Sequence, residues 1–108
     1  MAQDSPHISV LLNEVIRSIS PLEGRHVVDG TFGAGGYSRA FLQAGARVTG
    51  IDRDPNVLPY AQNLSAEFGD DFRFVQGRFA DLEDLAQENN IAPIDAVVLD
   101  TGVSSMQL

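Results

Sequence analysis

Asp29, Asp52 and Asp100 each close a short apolar run, and Gly30, Gly33, Gly35 and Gly36 crowd the stretch just after the first of them. A carboxylate at the end of a buried strand can accept hydroxyl or amine hydrogens, or stand beside a cation that favours its ionised form. Glycine lets the backbone take positive φ and lets a ligand approach with no Cβ in the way. Val27-Val28-Asp29 followed by this glycine loop therefore reads as a strand feeding a nucleotide-type cofactor site.

The loop itself narrows the ligand. Starting from Gly33, the dinucleotide pattern Gly-x-Gly-x-x-Gly requires glycine at position 38, where Ser38 stands; starting from Gly30 it fails at Phe32. A phosphate-binding Walker loop needs a lysine, and the chain contains none. The remaining pattern, Asp29-Gly30-x-x-Gly33-x-Gly35-Gly36, has no charged anchor for phosphate and suits a cofactor with an amino-acid tail, such as S-adenosylmethionine. Asp52 follows the loop by about 20 residues, the spacing at which a carboxylate receives both ribose hydroxyls. Asp54 is the better helix cap by position, which leaves Asp52 for that role. Asp29 and Asp100 could face a sulfonium or an amino group, or could simply accept backbone N–H groups. Phe79 could lie on an adenine face or in the core. His7 and His26 have no acid or histidine at ligand spacing and are not expected to bind metal.

The elements that must position these groups alternate. Apolar residues between Val10 and Ser18 recur at helical spacing, with Ser9 as a cap and Pro21 beyond the end. Strands are expected at Arg25–Asp29, Arg47–Ile51, Phe72–Gln76 and Ile94–Leu99. Helices are expected from about Ala34 to Ala44, closed by Gly45, and from Asp54-Pro55 to Phe68, where Pro59 predicts a kink or a delayed start. A short helix should run from an Asp81 cap, with Asp84 as its capping-box partner, to Glu88. Thr101 to Ser105 reads as a turn-rich loop. Strands alternating with helices at this regular spacing imply right-handed βαβ units on a parallel sheet.

Composition sets the outer bounds. The 108 residues make at most one domain, with no cysteine for a disulfide or thiolate site. Fifteen acidic residues against seven arginines give a net charge of −8, which repels nucleic-acid phosphate. No apolar run approaches the ~20 residues of a membrane span, and the N-terminal residues have no secretory pattern, so a cytoplasmic location is expected.

Four ordered blocks carry a resemblance: His7-Ile-Ser-Val10-Leu-Leu, Val28-Asp-Gly-Thr-Phe-Gly-Ala-Gly-Gly-Tyr-Ser-Arg39, Ile51-Asp-Arg-Asp-Pro55 and Asp100-Thr-Gly-Val-Ser-Ser-Met-Gln107. Together they resemble the bacterial 16S ribosomal RNA cytosine-N4 methyltransferases of the MraW/RsmH family. The resemblance implies a Rossmann-like class I S-adenosylmethionine-dependent methyltransferase fold, and methyl transfer to the exocyclic N4 of a cytosine in 16S rRNA of the small ribosomal subunit. It implies cofactor contacts at Gly35, Gly36, Tyr37, Asp52, Phe79, Asp100 and Gln107, with Asp100 a candidate for orienting the substrate amine. Tyr37 stands where many members have histidine, and Thr101 where they have leucine or isoleucine.

Family members are much longer. Residues 1–108 are accordingly expected to be the N-terminal half of the cofactor-binding domain, an α/β unit truncated to about four parallel strands in the order 3-2-1-4 with flanking helices. Such a unit is expected to bind cofactor without turnover and not to bind RNA alone. Strand four should be an unpaired edge, inviting self-association as a homodimer. A non-catalytic, self-associating half-domain is thus the alternative reading, and a nicotinamide-dependent oxidoreductase a third that Ser38 disfavours.

Overall fold

The computed structural model describes residues 16–17 and 19–99, together with the backbone of 102–104. Five strands form one sheet: β1 (His26–Asp29), β2 (Arg47–Asp52), β3 (Phe72–Gln76), β4 (Ala96–Leu99) and β5 (Gly102–Ser104). Their order is β3-β2-β1-β4-β5. The first four are parallel, in the expected order 3-2-1-4. Helices α1 (Gly36–Gln43), α2 (Leu58–Phe68) and α3 (Leu82–Asn89) make the connections. Ile16, Arg17 and Ile19 are helical; the remainder of the expected first helix lies outside the described residues.

The strands are apolar on both faces, as a sheet covered on both sides requires. Val27, Val48, Phe72, Ala96 and Val98 pack against Phe41 and Leu42 of α1 and Ala61 and Leu64 of α2, with Ile19 and Leu22 completing that layer. Val28, Ile51, Val75 and Val97 face the other way, onto Leu82 and Ala86 of α3 and the nearby Ile91 and Ile94. Adjacent residues such as Val27 and Val28 therefore belong to different cores, because strand side chains alternate.

Local chemistry sets most of the boundaries. Gly45, at φ 97°, follows α1 and donates its N–H to Leu42 O at 3.0 Å, a left-handed stop. The Asp54 carboxylate accepts from Asn56 N at 2.9 Å and caps a 3-10 turn, Pro55–Val57; regular helix begins only at Leu58. Pro59 sits in the first turn of α2, so the delayed start is the outcome.

Three expectations are corrected. Gly102–Ser104 is not a loop: it pairs antiparallel with β4, Val98 opposite Val103 and Leu99 opposite Gly102. Strand four is therefore not an open edge, and the reason for expecting self-association through it falls away. Asp81 makes no side-chain cap: it ends a 3-10 turn, Phe79–Asp81, with φ −98° and ψ 21°, away from the extended backbone that aims a capping side chain. Strand β4 begins at Ala96 rather than Ile94. Asp95 is occupied instead with His26, accepting His26 N at Oδ2 (2.8 Å) and donating its own N–H to His26 O (2.8 Å).

His26 fastens the amino-terminal end of the sheet. Its Nδ1 lies 2.8 Å from Pro93 O and its Nε2 2.8 Å from Thr49 Oγ1. A carbonyl can only accept, so Nδ1 carries the proton, and Nε2 accepts from the Thr49 hydroxyl in the neutral ring. Burial holds the imidazole below its ordinary pKa of 6.5; the Pro93 carbonyl and Asp95 oppose that shift, while Arg47 and Arg73 reinforce it. The unfolded chain thus takes up a proton near pH 6.5 while the folded one resists it, so stability falls as pH drops below that value. Urea midpoints measured between pH 7 and 5.5 should decline, and His26→Gln should flatten the decline. Identical slopes in both proteins would contradict this role.

Candidate functional site

The carboxyl ends of β1, β2 and β3 converge on a cleft of about 290 Å³, lined by Gly30, Thr31, Asp52, Arg53, Gly77, Arg78, Phe79 and Ala80. Backbone hydrogen bonds lace the connecting loops to the strand ends. Gly30 N donates to Val98 O (2.8 Å), Phe32 N to Ile51 O (3.1 Å) and Gly77 N to Asp52 O (3.0 Å). The cleft is thus built on the sheet rather than on free-standing loops, in the position where open α/β sheets bind ligands.

The glycine loop is anchored from below by Phe32. Its ring is buried among Phe72 and Phe74, at centroid distances of 5.5 and 5.4 Å. It lies so close over Gly50 that a Cβ there would come within 2.6 Å of Phe32 Cδ1, which explains a glycine in the middle of β2. Gly33 and Gly35 have φ of 55° and 85°, a backbone that side chains rarely adopt.

Two carboxylates hold the loop from its sides. Asp52 Oδ2 accepts Gly33 N at 2.9 Å, and its Oδ1 accepts Asp54 N at 3.0 Å. It is half-buried and faces the cleft, and a carboxylate oxygen can accept more than one hydrogen bond, so hydroxyls entering the cleft can share it. Asp29 is buried, accepting Thr31 N at Oδ1 (3.3 Å) and Ser38 Oγ–H at Oδ2 (2.7 Å). Of the two readings open for Asp29, acceptance of local donors is the one its described contacts show.

Phe79 is half-buried and belongs to both the core and the cleft. It packs on the core beneath α3 and also forms a wall of the cleft. Gly30 makes room for it: a Cβ there would stand 2.6 Å from Phe79 Cδ1 and 2.6 Å from Leu99 Cδ2. Gly35 is the N-cap of α1, a helix with no side-chain cap and no acid in its first turn; its own N–H is given to Phe32 O at 2.8 Å, so donors for an anionic group begin at the Gly36 N–H. Gly36 has open space around its Cα. Tyr37 is not among the cleft-lining residues; its ring stands edge-on to Phe41, 6.2 Å away, on the α1 side of the core. Asp100, Thr101 and Gln107 lie outside the described residues, as does His7. His26 lies at the opposite end of the sheet from the cleft.

Sequence reasoning passed over Arg53, Arg78 and Thr31 as cleft residues. The signal was positional: each neighbours a residue already singled out, and the loop after a parallel strand lines the same mouth as the strand end. Among the described residues, no group of three or more His, Asp or Glu is placed to hold a metal ion.

Residues 4–108 match the model of the MraW methylase family. The chain is 48% identical over 107 residues to a "Ribosomal RNA small subunit methyltransferase H" of Chelativorans, covering 99% of this chain and 30% of that protein. It is 53% identical over 105 residues to the protein of the same name from Caulobacter vibrioides, covering 96% and 32%. It thus spans about a third of the length of these curated relatives. Among solved structures, the C-terminal domain of precorrin-6Y C5,15-methyltransferase from Rhodobacter capsulatus has a similar fold, with TM-score 0.69 and 23% identity over 95% of this chain and 55% of that one. An rRNA methylase from Streptococcus thermophilus aligns with TM-score 0.58 and 26% identity, covering 90% and 54%.

The packing at Gly30 yields a direct test. Gly30→Ala forces the Phe79 ring and Leu99 to move, an overpacking cost of roughly 1–3 kcal/mol. Thermal unfolding should show the midpoint lowered by several degrees, and an unchanged midpoint would contradict the contact.

Proposed function

The chain belongs to the MraW methylase family, and from that premise we propose that it forms the S-adenosylmethionine-binding part of a methyltransferase acting on small-subunit ribosomal RNA. The observation that carries the cofactor reading is the convergence of Gly30, Asp52 and Phe79, from three different strand ends, on one cleft.

The residues fit the group. Asp52 is fixed by Gly33 N and Asp54 N and faces the cleft, as a ribose acceptor should. Phe79 supplies an apolar wall for adenine. The uncapped start of α1 offers the Gly36 N–H to a carboxylate, with Gly35 and Tyr37 on either side of it. Asp100 and Gln107 are assigned to the methionine end by the resemblance alone. When bound, S-adenosylmethionine supplies an electrophilic methyl group on a sulfonium. The chain's own contribution is positional: Asp52 and Phe79 would hold ribose and adenine at the ends of β2 and β3. Asp100, which follows β4 in the sequence, would orient the N4 amine of a cytosine for in-line attack, catalysis by placement of the reactants.

With a net charge of −8, the chain offers an RNA backbone little electrostatic attraction. Holding the RNA is therefore assigned to the part of the relatives' length that this chain does not span.

Calorimetry with S-adenosylhomocysteine tests the reading. The wild type should bind, and Asp52→Ala should weaken binding about tenfold or more, because hydrogen bonds to a charged group are lost. No heat from the wild type at millimolar ligand would overturn the proposal.

A further inference from the structure

Ser38 occupies the position where a dinucleotide-binding loop would carry its third glycine, which such loops use for close packing of helix on strand. Here the side chain is fully buried, at 0% exposure, in the first turns of α1. Its hydroxyl donates to Asp29 Oδ2 at 2.7 Å, and Asp29 is itself only 1% exposed. The other oxygen of that carboxylate accepts Thr31 N at 3.3 Å. One carboxylate therefore joins the end of β1, the first residues of the loop and the start of α1. A 2.7 Å bond between two buried groups restrains the start of α1 locally, and its geometry sets how far α1 stands from the strand.

We propose that Ser38 is a positioning residue for the amino-acid tail of the cofactor. Through Asp29 it fixes the distance and tilt of the α1 N-terminus relative to β1, and so the aim of the Gly36 N–H, the Gly35 N–H being already bonded to Phe32 O. It touches no ligand itself. This rests on the cofactor reading above and deepens it: the adenosine half is held by Asp52 and Phe79, which Ser38 does not contact, whereas the tail depends on the helix that Ser38 ties down. The serine thus does by hydrogen bonding what a glycine does by close approach, for a ligand with a carboxylate tail in place of a pyrophosphate.

The test compares two probes, S-adenosylhomocysteine and adenosine, on the wild type and on Ser38→Ala, Ser38→Thr and Ser38→Cys, with thermal midpoints recorded alongside. Ser38→Ala should lose about tenfold in affinity for S-adenosylhomocysteine and less than about twofold for adenosine, the tenfold figure lying within the range by which residues without ligand contact alter binding. Ser38→Thr, which keeps the hydroxyl, should recover most of the difference. Ser38→Cys, a near-isostere with a weak donor, should fall between them and carries the comparison if the alanine variant does not fold. A purely structural role would lower the midpoint and weaken both probes alike; that result, or unchanged affinities, would overturn the inference while leaving the cofactor reading intact. Failure of the wild type to bind either probe would instead overturn the cofactor reading, and this inference with it.

Discussion

Everything at the ligand end of this fold depends on fixing a glycine loop that has little means of fixing itself. Gly33 and Gly35 adopt left-handed backbone, and glycine loses more conformational freedom on folding than any other residue. The chain opposes that cost with three restraints from the sheet. The Phe32 ring is buried over Gly50, Asp52 takes the Gly33 amide, and Asp29 takes both the Thr31 amide and the Ser38 hydroxyl. Phe32 alone removes enough apolar surface from water to contribute about 1.5–3 kcal/mol. The carboxylates add direction, which burial cannot supply.

These restraints work only because the strand ends are level with one another. Parallel pairing places Asp29 beside Gly50 and Asp52 beside Gln76, so the ends of β1, β2 and β3 open onto the same rim. The register is secured from the opposite end, where His26 ties β1 to Thr49 of β2 and to Pro93 and Asp95 ahead of β4. Core packing on both faces then leaves the cleft as the place where side chains from three connections meet. Position along the strand, more than residue identity, separates scaffold from site: His26 and Asp29 lie on one four-residue strand and serve its two ends.

The sequence was most legible where a local rule and the tertiary fold agree. Phe72–Gln76 could be read to its boundaries because a turn precedes it and a glycine follows, and Pro59 announced the late start of α2. Gly102–Ser104 was not legible. Its composition is that of a turn, and it becomes a strand only through pairing with β4. The Asp81 cap failed because a 3-10 turn before α3 set the backbone differently, something no side-chain pattern encodes. At the site, Asp52 and Phe79 were found by spacing and strand ends, but the grip of Asp52 on the loop was not. Asp52 holds the loop as well as facing the cleft, and Phe79 serves both core and cleft. Ser38 was visible only as a mismatch to another loop type; its bond to Asp29 needs the three-dimensional return of α1 onto β1.

The loop is held in place before any ligand arrives. Amide hydrogen exchange at Gly33 and Thr31 in the ligand-free protein measures this most directly. Both amides should exchange slowly, at rates comparable to those of the adjoining strands, with selective loss of protection at Gly33 in Asp52→Ala. Exchange at Gly33 in the wild type as fast as in an unstructured peptide would contradict it.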